Sequence, residues 1–174
     1  MLDIRREYSS FCLTINTMKN HIYYMEQCIA LGKKAMLNGN PPVGSIIVKD
    51  DKIISIGIES GKSSKDITRH AEIEAVNNAL QNNQLKNLKG CKLYTTHEPC
   101  IMCSYVLRHY KIETIIYGSK VDHVGGITSS LNVMSTTQVP NWEKPPKIIG
   151  NILNEKCENL SKSYKSYLNN NYEK

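Results

Sequence analysis

The residue pattern of this 174-residue chain predicts a layered α/β sandwich. Three observations point there. Short β-branched stretches alternate with helical patterns; the length suits one domain with a core buried without staples; and no repeat or Pro/Gly/Ser linker divides the chain. Hydrophobic residues at 40% and charged residues at 22% exclude a disordered or fibrous chain. No apolar run approaches the ~20 residues of a membrane-spanning helix.

The elements follow in order. From Asn20 to Leu37 the apolar positions Ile22, Met25, Ile29, Ala30 and Met36 predict an amphipathic helix ending at Asn38-Gly39. Val43 to Lys49 and Lys52 to Ile58 are β-rich and flank the turn signal Asp50-Asp51, which predicts a hairpin. Gly61 to Ile67 reads as a polar loop, and His70 to Leu80 as a helix capped by Asp66 or Thr68. Cys91 to Thr96 is a short buried strand. Cys100 to His109 is a helix opened by Pro99. Ile112 to Gly118 is another strand, Gly125 to Thr137 an irregular connection, Lys147 to Ile149 a short strand, and Ile152 to Tyr167 a last helix. Met18 is a second start candidate, so residues 1–17 are expected to be a disordered arm ahead of one domain at 18–174.

Charge and cysteines bound the function. Twenty-two basic and 16 acidic residues leave a net +6, which permits a polyanionic partner without demanding one. The first residues show no signal core, so a cytosolic location is expected. There the six cysteines are better metal or redox groups than a disulfide framework. Cys12, Cys28 and Cys157 read as ordinary thiols, the last two buried. His21 and His109 read as surface residues. Trp142 either stacks a base or packs its Pro-rich turn.

The chemistry-bearing residues form two short runs, His70-Ala71-Glu72 and Pro99-Cys100-Ile101-Met102-Cys103. A helix beginning at Cys100 sets Cys103 one turn later on the same face, so both sulfurs can grip one ion. The helix N-terminus favours their thiolate form. Two thiolates and the His70 imidazole suit Zn²⁺, and three protein ligands leave the fourth position for a water whose pKa falls to around 7. Glu72 lies two residues beyond His70, where its carboxylate can shuttle protons, a role worth roughly 10²–10⁴-fold in rate. Two other arrangements use the same residues. A thioredoxin-like dithiol needs only Cys100 and Cys103, and a closed structural zinc would recruit Cys91, His97 or His109 as fourth ligand.

These runs resemble the H-x-E and P-C-x-x-C signature of the zinc-dependent cytidine/deoxycytidylate deaminase superfamily. Asn40-Pro-Pro-Val-Gly-Ser-Ile-Ile-Val, His70-Ala-Glu-Ile-Glu-Ala, Leu93-Tyr-Thr-Thr-His-Glu-Pro-Cys-Ile-Met-Cys and Ile115-Ile-Tyr-Gly-Ser extend the likeness. They point to the branch of bacterial tRNA adenosine deaminases, guanine deaminase and fungal cytosine deaminase. Gly150-Asn-Ile-Leu-Asn-Glu-Lys-Cys resembles the last helix of the tRNA enzymes. The resemblance implies a cytidine deaminase-like three-layer α/β/α sandwich with a five-stranded mixed sheet. It also implies one Zn²⁺ per chain, loss of ammonia from a base, and a homodimer whose subunits complete each other's pockets. On the substrate side it implies Val43, Glu59, Ala71, His97, Pro99 and Asp122. One departure stands out: where the family commonly has Asn, eleven residues before the zinc histidine, this chain has Glu59. An ionised carboxylate accepts hydrogen bonds but donates none, so the ligand is expected to supply Glu59 with a donor. A salt bridge to Lys62 or Arg69 is the alternative.

The function that follows is a zinc hydrolase deaminating a small nucleobase or nucleoside. Adenosine in a tRNA anticodon loop is the second substrate, favoured by the C-terminal likeness and the positive charge and disfavoured by Glu59. An RNA-binding zinc module without catalysis is the third reading, which tRNA binding without ammonia release would select.

Overall fold

A computed structural model describes the backbone of residues 4–172 and the side chains of residues 20–169. Five strands, β1 (Gly44–Lys49), β2 (Lys52–Ile58), β3 (Lys92–His97), β4 (Thr114–Ser119) and β5 (Lys147–Ile149), form one sheet in the order β2-β1-β3-β4-β5. β1 runs antiparallel to β2 and β3, while β3, β4 and β5 are parallel. The helices are α1 (Ile4–Leu37), α2 (Gly61–Ser64), α3 (Ala71–Asn82), α4 (Ile101–His109) and α5 (Asn154–Tyr172).

Alternation along β3 makes the three layers, because successive side chains point to opposite faces. Leu93 joins Ala75, Val76 and Ala79 of α3 and Leu107 of α4 in one core. Tyr94 joins Met25 and Cys28 of α1 and Cys157 and Leu160 of α5 in the other. The β1–β2 hairpin turns where the sequence signals it, with Asp50 and Asp51 both at positive φ (48° and 56°), the backbone of a two-residue hairpin turn. β2 is an edge strand, and α3 covers it: Asn78 and Asn83 donate to the carbonyls of Ile56 and Ile54, groups that otherwise invite another strand. Gly57 permits the close approach, since a Cβ there would lie 1.9 Å from the Ala71 carbonyl.

Several expectations change. The first helix starts at Ile4, well before Asn20. Residues 1–3, and the side chains before residue 20, lie outside the described residues, so the arm at 1–17 remains an expectation. His21 is buried at 8% exposure with Nδ1 2.9 Å from the Tyr94 hydroxyl, because α1 packs across the sheet there. Asp66 does not cap α3: its Oδ1 accepts from the Thr68 backbone and hydroxyl instead. The polar loop contains one helical turn, α2. Pro99 precedes the N-cap Cys100 and so lies just outside the first helical turn. No helix among the described residues is long and apolar enough to cross a membrane.

Candidate active site

Two helix starts meet at the carboxyl end of β3. His70 is the N-cap of α3 and Cys100 the N-cap of α4, so both positive helix ends face one point, where anionic ligands are favoured. Cys103 follows in the first turn of α4, fully buried. His70 Nδ1 lies 3.6 Å from Cys100 Sγ and 3.4 Å from Cys103 Sγ, and the three ligand atoms lie within 4.8 Å of one another. That span and donor set fit a single tetrahedral Zn²⁺ held by two thiolates and an imidazole. Without a metal the three groups share protons among themselves. Hydrogen bonding from the Cys103 thiol, then from His70, holds Cys100 down to about 4, and the bond to Cys100 raises His70 to about 9. Hydrogen bonding to Cys100 and burial raise Cys103. A bound ion would displace those protons and take two thiolates and a neutral imidazole.

The fourth ligand needed for a closed zinc is not assembled among the described residues. Cys91 lies at the opposite end of β3, with its thiol directed to the Lys89 carbonyl. His109 is stacked on Tyr105 at the far end of α4. His97 turns to α5, where Nε2 meets the Ser161 hydroxyl at 2.7 Å and Nδ1 meets Thr96; burial holds it down to about 4.

Glu72, at 3% exposure, reaches the same point from α3. Oε2 accepts from the Cys103 thiol and Oε1 from Thr95 Oγ1 at 3.2 Å. Ser45 on β1 donates in turn to the Thr95 hydroxyl at 2.9 Å. Burial pushes Glu72 up to about 7, near the pH at which a carboxyl both takes and returns a proton well. Thr95 and Ser45 were missed by sequence reasoning. Their signal was present: hydroxyls inside otherwise apolar strands.

Glu59 sits beside this set, and its premise changes. It is 5% exposed, but Oε1 accepts the Gly61 N–H at 2.9 Å and Oε2 the Ala71 N–H at 3.2 Å. The carboxylate therefore does not need a donor from a ligand. It clasps the two ends of the 60–71 connection and satisfies an amide that a helix start leaves open. Arg69 pairs with Asp66 and Glu74 rather than with Glu59. Glu59→Ala is expected to lower stability by about 1–3 kcal/mol, the cost of leaving buried donors unmet. An unchanged denaturation midpoint would show that those amides are held by something else.

The other candidate residues fall in two places. Ala71 and Pro99 flank His70 and Cys100 and are buried, while Val43 accepts the Glu59 N–H through its carbonyl. His97 and the exposed Asp122 instead line an open groove of about 530 Å³ against α5 with Lys120, Lys162 and Lys165. Trp142 packs onto α4 rather than into its own turn, with the Arg108 guanidinium 4.9 Å over its ring and Tyr105 edge-on.

A sheet carrying one His, two Cys and a buried Glu at the carboxyl end of its central strand defines a zinc hydrolase. Residues 18–119 match the cytidine and deoxycytidylate deaminase zinc-binding region. The chain belongs to that family and is a zinc-dependent deaminase acting on the C–N bonds of cyclic amidines. It is 38% identical over 151 residues to a tRNA-specific adenosine deaminase of Aquifex aeolicus, covering 85% of this chain and 96% of that one. It is 33% identical over 147 residues to tRNA-specific adenosine deaminase 2 of Xenopus tropicalis, covering 81% and 86%. A solved structure from work on A-to-I editing by tRNA:A34 deaminases superposes with TM-score 0.74 at 24% identity, covering 79% of this chain and 98% of that one.

Proposed function

We infer that this enzyme deaminates adenosine within a tRNA anticodon loop. The observation that carries the reading is the 38% identity across nearly the whole of the Aquifex aeolicus tRNA-specific adenosine deaminase. The order of substrates drawn from sequence is thereby reversed. Glu59 no longer weighs against RNA, since its two oxygens are engaged by backbone amides.

When bound by His70, Cys100 and Cys103, zinc lowers the pKa of water to around 7 and so supplies a nucleophile at neutral pH. Glu72 does the proton work. Thr95 fixes Oε1, and once Cys103 is a thiolate Oε2 is left to take a proton from the attacking water and deliver it to the ring nitrogen N1. It then takes the proton of the new C6 hydroxyl and passes it to the departing amine. Water adds oxygen at C6 and ammonia leaves, so adenosine becomes inosine. Ala71 and Pro99, which flank the metal ligands, would border the base, with Val43 and Glu59 bracing the chain behind Ala71. His97 and Asp122 belong with Lys120, Lys162 and Lys165 to a groove that would receive the flanking phosphates. A cytosolic location and a homodimer complete the reading, and exposed Ile101 and Tyr105 on α4 give the dimer apolar surface to cover.

Conversion of adenosine to inosine in an anticodon stem-loop tests the proposal, with ammonia release from free adenosine, adenine, guanine and cytosine as the comparison. Turnover of a free base alone would return the small-molecule reading to first place. The groove makes a separate prediction. Replacing Lys162 and Lys165 together by Ala should weaken tRNA binding and reduce the slope of log K against log salt by about one for each phosphate no longer neutralised. An unchanged salt slope would remove that groove from the RNA path.

A further inference from the structure

We propose that Glu98 is a positioning residue for substrate capture: its buried carboxylate buckles the strap at 121–128, setting the exposed tip at 122–124 beside the zinc ligand Cys100. The inference takes its substrate from the RNA-deaminase reading above.

Glu98 lies between β3 and α4 and is 2% exposed. Four neutral donors converge on it. Oε1 accepts the N–H groups of Ile127 at 2.9 Å and Thr128 at 2.7 Å. Oε2 accepts the N–H of Val121 at 3.2 Å and the Thr128 hydroxyl at 2.7 Å. Both feet of the strap are thus tied to one side chain. The fit is tight, because a Cβ at Gly125 would come within 2.4 Å of Oε1.

From that buckle the strap folds back onto the start of α4. Ile101 donates its N–H to the Val124 carbonyl, and Gly126 donates to that of Pro99, each at 2.9 Å. Between the feet, residues 122–124 are exposed, and Asp122 lines the same groove as Lys120, Lys162 and Lys165. One buried charge therefore sets the distance from a metal ligand to the groove wall. A bound ion fixes Cys100 independently of the strap, through His70 and Cys103. Loosening the buckle should therefore show first in substrate capture and only weakly in the chemical step.

Glu98→Gln keeps the shape but turns an amide donor toward backbone donors. Thr128→Val removes one of the four hydrogen bonds with little change of volume and little risk to folding. Zinc content, hydrogen exchange of 121–128, and steady-state kinetics on the anticodon stem-loop are measured for both. Faster exchange is expected in both variants, with one zinc per chain and kcat within about twofold. KM should rise about tenfold in Glu98→Gln and about threefold in Thr128→Val, as expected when a charge-assisted hydrogen bond is removed outside the reacting atoms. Unchanged KM despite faster exchange overturns the proposal. Loss of zinc or kcat at constant KM overturns it too, by making Glu98 a brace for Cys100. Failure of the wild type to form inosine counts against the RNA reading instead. The same kinetics on whichever free base or nucleoside it deaminates then decide the proposal, and an unchanged KM there overturns it.

Discussion

Glu72→Gln is expected to retain one zinc per chain and its thermal midpoint while losing roughly 10²–10⁴-fold in kcat. The amide fills the volume of the carboxyl, keeps an oxygen for the Thr95 hydroxyl, and leaves His70, Cys100 and Cys103 untouched. It cannot carry a proton. Because the interaction belongs to the transition state, kcat and kcat/KM should fall together. Elemental analysis and single-turnover kinetics on one preparation check both halves. A variant that folds but has lost its zinc would make Glu72 a ligand and end the proton-shuttle mechanism.

The second large effect is on the fold. Cys103→Ala is expected to lose its zinc and to unfold at a markedly lower temperature, since the ion ties the start of α3 to the start of α4. A ligand present at a thousand times its Kd stabilises the native state by about 4 kcal/mol. At 2–4 °C per kcal/mol for a chain of this size, that corresponds to roughly 10 °C. Removing zinc from the wild type with a chelator should lower its midpoint by a similar amount, and adding zinc back should restore the wild type alone. Full zinc occupancy in Cys103→Ala would overturn the ligand assignment. An equal response of variant and wild type to the chelator would do the same.

Much of the site was legible because it is local. His70 and Glu72 are two residues apart at one helix start, and Cys100 and Cys103 are one turn apart at another. The side-chain chemistry of each run could therefore be argued without knowing the fold. The hairpin was legible for the same reason, since Asp50-Asp51 tolerates the positive φ that its turn requires. His21 and the cap of α3 were misjudged because each depends on a partner far along the chain: Tyr94 for the first, Glu59 for the second.

The sequence by itself determined the candidate donor set for the metal, the candidate acid–base carboxyl and the alternation of strands and helices, because spacing within one helical turn or one strand dictates which side chains share a face. Only the tertiary structure decided how the buried charges are held. Glu72 is oriented by hydroxyls of β3 and β1, Glu59 by amides at the two ends of a loop, and Glu98 by both feet of a strap. A buried carboxylate must find donors, and which backbone N–H groups remain free to serve it is settled by how strands, helix starts and loops are brought together, not by the residues beside it in the chain.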